Sequence, residues 1–204
     1  MIDESTLRAL LAVQLVIGLP AEAYFRLRSR VPGERLNRTP EGWLMLATLR
    51  PLLVARLGAI LAFIVNPRWM AWSALSVPPW LRGVGICLGV SATGLLLWVL
   101  CSLGRNLTDT VVCRSQAVLI QHGPYRWVRH PLYLSFGIAA VADTLMTANW
   151  FVAATGAAVL FLLVLRTRVE ERCLVERFGE AYRAYCRSTG RFLHRRIRAP
   201  EGRP

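Results

Sequence analysis

The chain contains no lysine, and all 25 of its basic residues are arginine. Charged residues of either sign make up only 18% of its 204 residues, against 54% that are hydrophobic. A soluble domain of this length needs more polar side chains to cover its surface, so composition argues against one. Cys-x-x-C pairs are also missing. Cys87, Cys101, Cys113, Cys173 and Cys186 are odd in number and widely spaced, which indicates neither a disulfide framework nor a zinc site. No second histidine or cysteine lies at ligand spacing from His130, so no metal is expected there. The first apolar run follows Asp3 and Glu4 rather than a basic segment, so no cleavable signal peptide is expected.

What the chain does have is a series of long apolar runs. They extend from about Leu7 to Phe25, Trp43 or Leu52 to Val65, Val84 to Leu103, Pro131 to Thr147, and Trp150 to Leu165. Several approach the ~20 residues that span a bilayer as a helix. Alternating ten-residue segments, the mark of a barrel, are lacking. The expected fold is all-α: a polytopic membrane protein with about five transmembrane helices.

The net charge of +13 does not read as a nucleic-acid footprint, because the arginines cluster beside apolar runs. Segment 26–41 holds five, segment 104–130 four, and the chain from Arg166 onward eleven. Segment 66–82 holds only Arg68 and Arg82, and 143–149 holds none. Basic loops stay cytoplasmic, which predicts an outer N-terminus and a cytoplasmic C-terminus. Trp69, Trp72 and Trp80 then suit an outer aromatic belt. Gly85, Gly89 and Gly94, with Ser91 and Ala92, give the third run a small-residue face for close helix packing. Pro51 fits a first helical turn, starting the second span near Leu52. Arg50 and Arg56 would then lie near the inner interface and snorkel to it.

Polar chemistry gathers in two stretches, residues 103 to 133 and 166 to 185. Only two spans and a very short turn separate them, so an antiparallel hairpin brings them together. Arg166 and Glu170 share one helix face, with Glu171 about 100° around. His130-Pro131 marks a helix entrance, where peptide N–H groups favour an anion such as a carboxylate. On these residues alone, a solvated helix carrying a weak surface ion pair remains open.

The string "GPYRWVRHPLY", an apolar hairpin, "EE", then "FGEAYRAYCRSTGRF" resembles the isoprenylcysteine carboxyl methyltransferase and phospholipid methyltransferase group. The resemblance covers residues 103 to 193. It implies an integral membrane enzyme using S-adenosyl-L-methionine, with three membrane spans in 1–102, a methyltransferase core in 103–193 and a basic tail in 194–204. By the same resemblance Val118, Leu119 and Ile120 run along the cofactor, and Tyr125, His130 and Tyr133 line its pocket. Glu170 binds a donor-bearing part of it, and Arg166 orients the acceptor. Glu171 would be a base if the acceptor is an amine or thiol. The implied acceptor is a lipophilic small molecule or lipid: an isoprenylcysteine-like carboxylate, a lipid amine or a small thiol. A short, lysine-free chain points to the plasma membrane of a bacterium, with the site facing the cytoplasm. Three positions depart from the pattern. Ser135 stands where relatives carry glycine, Cys113 where they often offer a polar side chain, and Gly190 where they often have proline. Two other readings stay open: an NADPH-dependent membrane reductase of similar arrangement, and a non-catalytic membrane scaffold. The glutamate pair argues against the first, since carboxylates repel a nucleotide phosphate.

Overall fold

The computed structural model describes residues 3–29, 43–104 and 118–193. The expectations for Arg30, Arg35, Arg38, Arg105, Cys113, Arg114 and the tail 194–204 fall outside those residues. Six helices are described: α1 (Glu4–Arg28), α2 (Trp43–Val65), α3 (Pro79–Leu103), α4 (Pro131–Thr147), α5 (Trp150–Phe178) and α6 (Glu180–Ser188). Two 3₁₀ segments, Pro67–Ser73 and Gly123–Arg126, connect them. Helices α1, α2, α3 and α5 are long and apolar enough to cross a membrane, while α4 is a shorter apolar helix. The five apolar runs are thus five helices of a polytopic all-α membrane protein. At ~1.5 Å per residue, α4 rises only about 25 Å and falls just short of the ~30 Å hydrocarbon core.

Two expectations about α2 are corrected. The helix does not start near Leu52 but at Trp43, and Pro51 lies inside it. In an apolar surrounding a broken helix would strand several backbone groups, whereas an internal proline forfeits one hydrogen bond. Arg50 is exposed, but Arg56 does not snorkel: it is only 5% exposed. Its guanidinium donates to Asp143 Oδ2 of α4 at 2.7 Å and to the Val152 carbonyl of α5 at 2.7 Å. One arginine therefore fastens three helices. Asp143 and Arg56 lie far apart in sequence, and only the packing reveals them as partners.

The small-residue face of α3 is used in part. A Cβ on Gly85 would stand 2.9 Å from Leu145 Cβ and 3.1 Å from the Ala142 carbonyl of α4. One on Gly89 would collide with the Gln14 amide of α1, whereas Gly94 faces open space. Gly85 and Gly89 thus carry the close approach, and Gly94 does not.

The α4–α5 turn is built from Ala148, in the left-handed region at φ 47°, and Asn149. Asn149 Oδ1 accepts from the N–H groups of Phe151 and Val152, capping α5. Its Nδ2 donates to the Met70 carbonyl and Ser73 Oγ, pinning the Pro67–Ser73 segment to the same turn. At the opposite end, α5 continues past its apolar part, Trp150–Leu165, as a charged extension. Gly179 ends it at φ 56°, a conformation glycine adopts without strain, and α6 follows at once. On α6, Tyr182 and Tyr185 lie three residues apart and are both buried.

Candidate active site

The fold brings the His130 end of α4 beside the charged extension of α5. His130 is the N-cap of α4 and Pro131 opens the helix. Backbone pairing holds this point: Arg129 N–H donates to the Gly190 carbonyl at 2.9 Å, and His130 N–H to the Arg191 carbonyl at 3.1 Å. The segment after α6 is therefore laced under the entrance of α4.

Around this crossing stand two adjacent carboxylates with different surroundings. Glu171 is 14% exposed and takes donors from three residues. Arg129 Nε lies 3.1 Å from its Oε1, His130 Nε2 at 3.2 Å and Arg191 Nε at 3.1 Å, and a second Arg191 nitrogen reaches Oε2. Burial alone would raise its pKa. The hydrogen bonds from His130 and Arg191 and the charge of Arg129 outweigh this, holding the carboxyl well below the ordinary carboxylate range. An ionised carboxylate only accepts, so His130 Nε2 carries a proton. Glu170 is the more open of the two, at 33% side-chain exposure. Tyr133 Oη donates to its Oε2 at 2.9 Å, and His130 Nδ1 lies 3.8 Å from the same oxygen. The His130 and Tyr133 rings lie parallel, their centroids 5.6 Å apart.

Residues 85–176 match the sequence profile of the Isoprenylcysteine carboxyl methyltransferase (ICMT) family. The chain carries an ICMT-type segment. Among similar proteins are a Protein-S-isoprenylcysteine O-methyltransferase of Tribolium castaneum, 30% identical over 54% of this chain and 41% of that protein. A Methanethiol S-methyltransferase of Mycobacterium tuberculosis is 42% identical over 35% of this chain and 29% of that protein. The chain thus spans less than half the length of these curated relatives. A solved structure of the eukaryotic intramembrane Ras methyltransferase ICMT covers 92% of this chain and 63% of its own, with a TM-score of 0.57. At 20% identity that likeness shows the fold.

Inside this ICMT-type segment the hydrogen-bonded pairs His130–Glu171 and Tyr133–Glu170 form one cluster, joined by the 3.8 Å approach of His130 Nδ1 to Glu170 and by the parallel His130 and Tyr133 rings. Tyr125 borders it: the Tyr185 hydroxyl donates to its backbone carbonyl, and burial, then the charge of Glu170, push its phenol well above the ordinary range. Arg166 is half-buried one helical turn before Glu170. Val118 is exposed, and Leu119 and Ile120 are half-buried, in irregular chain leading to the Gly123–Arg126 turn. They are not part of that cluster. Glu171, with donors on both oxygens and a lowered pKa, is badly placed for the base role the sequence allowed it. Ser135 folds its hydroxyl onto the Leu132 carbonyl at 2.7 Å and is buried, which lets a serine occupy the glycine position.

Sequence reasoning missed Arg129 and Arg191. Besides meeting Glu171, Arg129 donates to the carbonyls of Cys186 and Thr189 at the end of α6. The signals are the arginine before His-Pro and the closing Arg-Phe, both inside the strings that carry the resemblance and neither given a glutamate partner there.

Proposed function

We propose that the protein transfers a methyl group from S-adenosyl-L-methionine to a lipophilic or thiol-bearing acceptor at the membrane interface. The reading includes a core in residues 103–193, a site facing the cytoplasm and a bacterial plasma membrane. The observation that carries it is the division of labour between the two glutamates. Glu171 is consumed by Arg129, His130 and Arg191, while Glu170 keeps a partly open carboxylate beside aromatic rings.

The donor set fits the cofactor. A carboxylate suits the hydroxyl or ammonium groups of its two ends, and tyrosine faces suit a sulfonium cation. When bound, it supplies an electrophilic methyl group on a positively charged sulfur. Glu170 would hold the donor-bearing part, with Tyr133 fixing the carboxylate and His130 packed against Tyr133. Tyr125 would close the same pocket from the loop side, and Val118, Leu119 and Ile120 would pass beside it. Arg166, one turn nearer the apolar part of α5, would hold a carboxylate acceptor or orient another nucleophile. Most of the rate then comes from alignment and from excluding water. A carboxylate acceptor needs no general base. With Glu171 tied up, a thiol acceptor would react as thiolate, its proton leaving to solvent. The activities for which the two relatives are named, on isoprenylcysteine and on methanethiol, make these the acceptors to try first.

The test is a donor-labelled methylation assay on the purified chain. It is supplied in turn with a prenylated cysteine, methanethiol and a membrane lipid extract, and products are identified by mass spectrometry. Label should appear in at least one acceptor and fall at least ~10-fold with Arg166→Ala. Turnover at the normal rate in Arg166→Ala would remove its acceptor role.

A further inference from the structure

The candidate active site occupies the His130 end of the α4–α5 hairpin. At the other end, beside the Thr147–Asn149 turn, lies a cavity of about 240 Å³. Its wall includes Glu4 of α1, Arg68 of the Pro67–Ser73 segment and Arg82 of α3, together with apolar Phe63, Met70 and Leu75. Among the described residues neither the Arg68 nor the Arg82 guanidinium has a hydrogen-bond or ion-pair partner. Nearby Arg8 differs, since its guanidinium is spent on the Ile64 and Val65 carbonyls that end α2. Arg82 also stands in the first turn of α3, where the helix dipole disfavours a cation. An anion seated between the two guanidiniums would give both a partner and offset the placement of Arg82. Trp69, Trp72 and Trp80, at 60%, 62% and 68% exposure, surround this end as aromatics do at a membrane interface. Further along α3, Val90 is exposed and lies about 80° around the helix axis from Arg82.

We propose that this cavity binds the headgroup of a glycerophospholipid bearing a primary ammonium. The phosphate would lie between Arg68 and Arg82, the ammonium against Glu4, and an acyl chain along α3. Arginine is suited to phosphate by its planar array of donors. Glu4 sets the rest of the headgroup: it repels a purely anionic one and accepts hydrogen bonds from a primary ammonium. A quaternary ammonium has no N–H to give. The inference is independent of the methyl-transfer reading.

The test uses the full chain, delipidated in detergent, with dioleoyl phosphatidylethanolamine, phosphatidylcholine, phosphatidylglycerol or dioleoylglycerol added. Native mass spectrometry reads retained lipid. The ethanolamine lipid should bind about ten-fold tighter than the other three, and Arg68→Gln with Arg82→Gln should lose about that factor. Glu4→Gln should abolish the preference over phosphatidylglycerol. Equal retention of all four lipids, a preference for phosphatidylglycerol in the unaltered chain, or undiminished binding in the double variant would overturn the proposal. Each single arginine exchange is read in the same way, so the test survives a double variant that folds poorly.

Discussion

Glu170 and Glu171 are neighbours in sequence, yet they face different surroundings because a helix turns 100° between them. Glu171 sits among Arg129, His130 and Arg191, so replacing it leaves cations without a counter-charge. Glu171→Gln should cost about 2–3 kcal/mol, below the 3–5 kcal/mol of a fully buried pair because the site is partly open. Thermal unfolding measures this. The pH dependence has a definite sign. A carboxyl whose folded pKa is depressed stabilises at full strength above its unfolded pKa, near the ordinary value of 4.5, and loses that contribution as pH falls below it. The Tm difference between the unaltered chain and Glu171→Gln should therefore stay level from about pH 8 to 5 and shrink in stronger acid. Glu170→Gln should leave the fold intact but weaken S-adenosyl-L-methionine binding about ten-fold, read by calorimetry.

Helix packing rests on two devices of opposite chemistry. Gly85 lets α3 touch α4 without a side chain between them, and Gly85→Ala would press a Cβ on Leu145 and on a backbone carbonyl that cannot yield. A loss of about 1–3 kcal/mol is expected, as for other overpacked contacts. Arg56 with Asp143 is the second device, a buried pair joining α2 to α4, with Val152 bringing in α5. Arg56→Met alone would leave Asp143 without its partner and should cost about 3–5 kcal/mol. Adding Asp143→Leu should recover much of that loss. Unfolding in detergent of the two single variants and the double variant gives the coupling directly.

Across the whole molecule, legibility followed the range of the interaction. The apolar runs were plain because lipid-facing helices are marked residue by residue, and the Pro131–Thr147 and Trp150 boundaries were signalled by local proline and turn chemistry. The convergence of His130, Tyr133 and Glu170 also followed from sequence, because a short hairpin leaves the chain few alternatives. Hidden were the contacts made by packing alone. Arg56 with Asp143 joins helices 87 residues apart, and Arg129 meets Glu171 across 42. The start of α2 was misread because proline's local preference was outweighed by the cost of an open helix in an apolar medium. Of the hidden contacts, Arg129–Glu171 lies at the site, and Glu170 is the carboxylate it leaves available. The most direct measurement is therefore label transfer from S-adenosyl-L-methionine by the purified chain, compared with Glu170→Ala at saturating acceptor. The account predicts a labelled methyl product and at least a ~10-fold loss in the variant. Undiminished transfer by Glu170→Ala, or no transfer by a folded chain that binds NADPH instead, would contradict it.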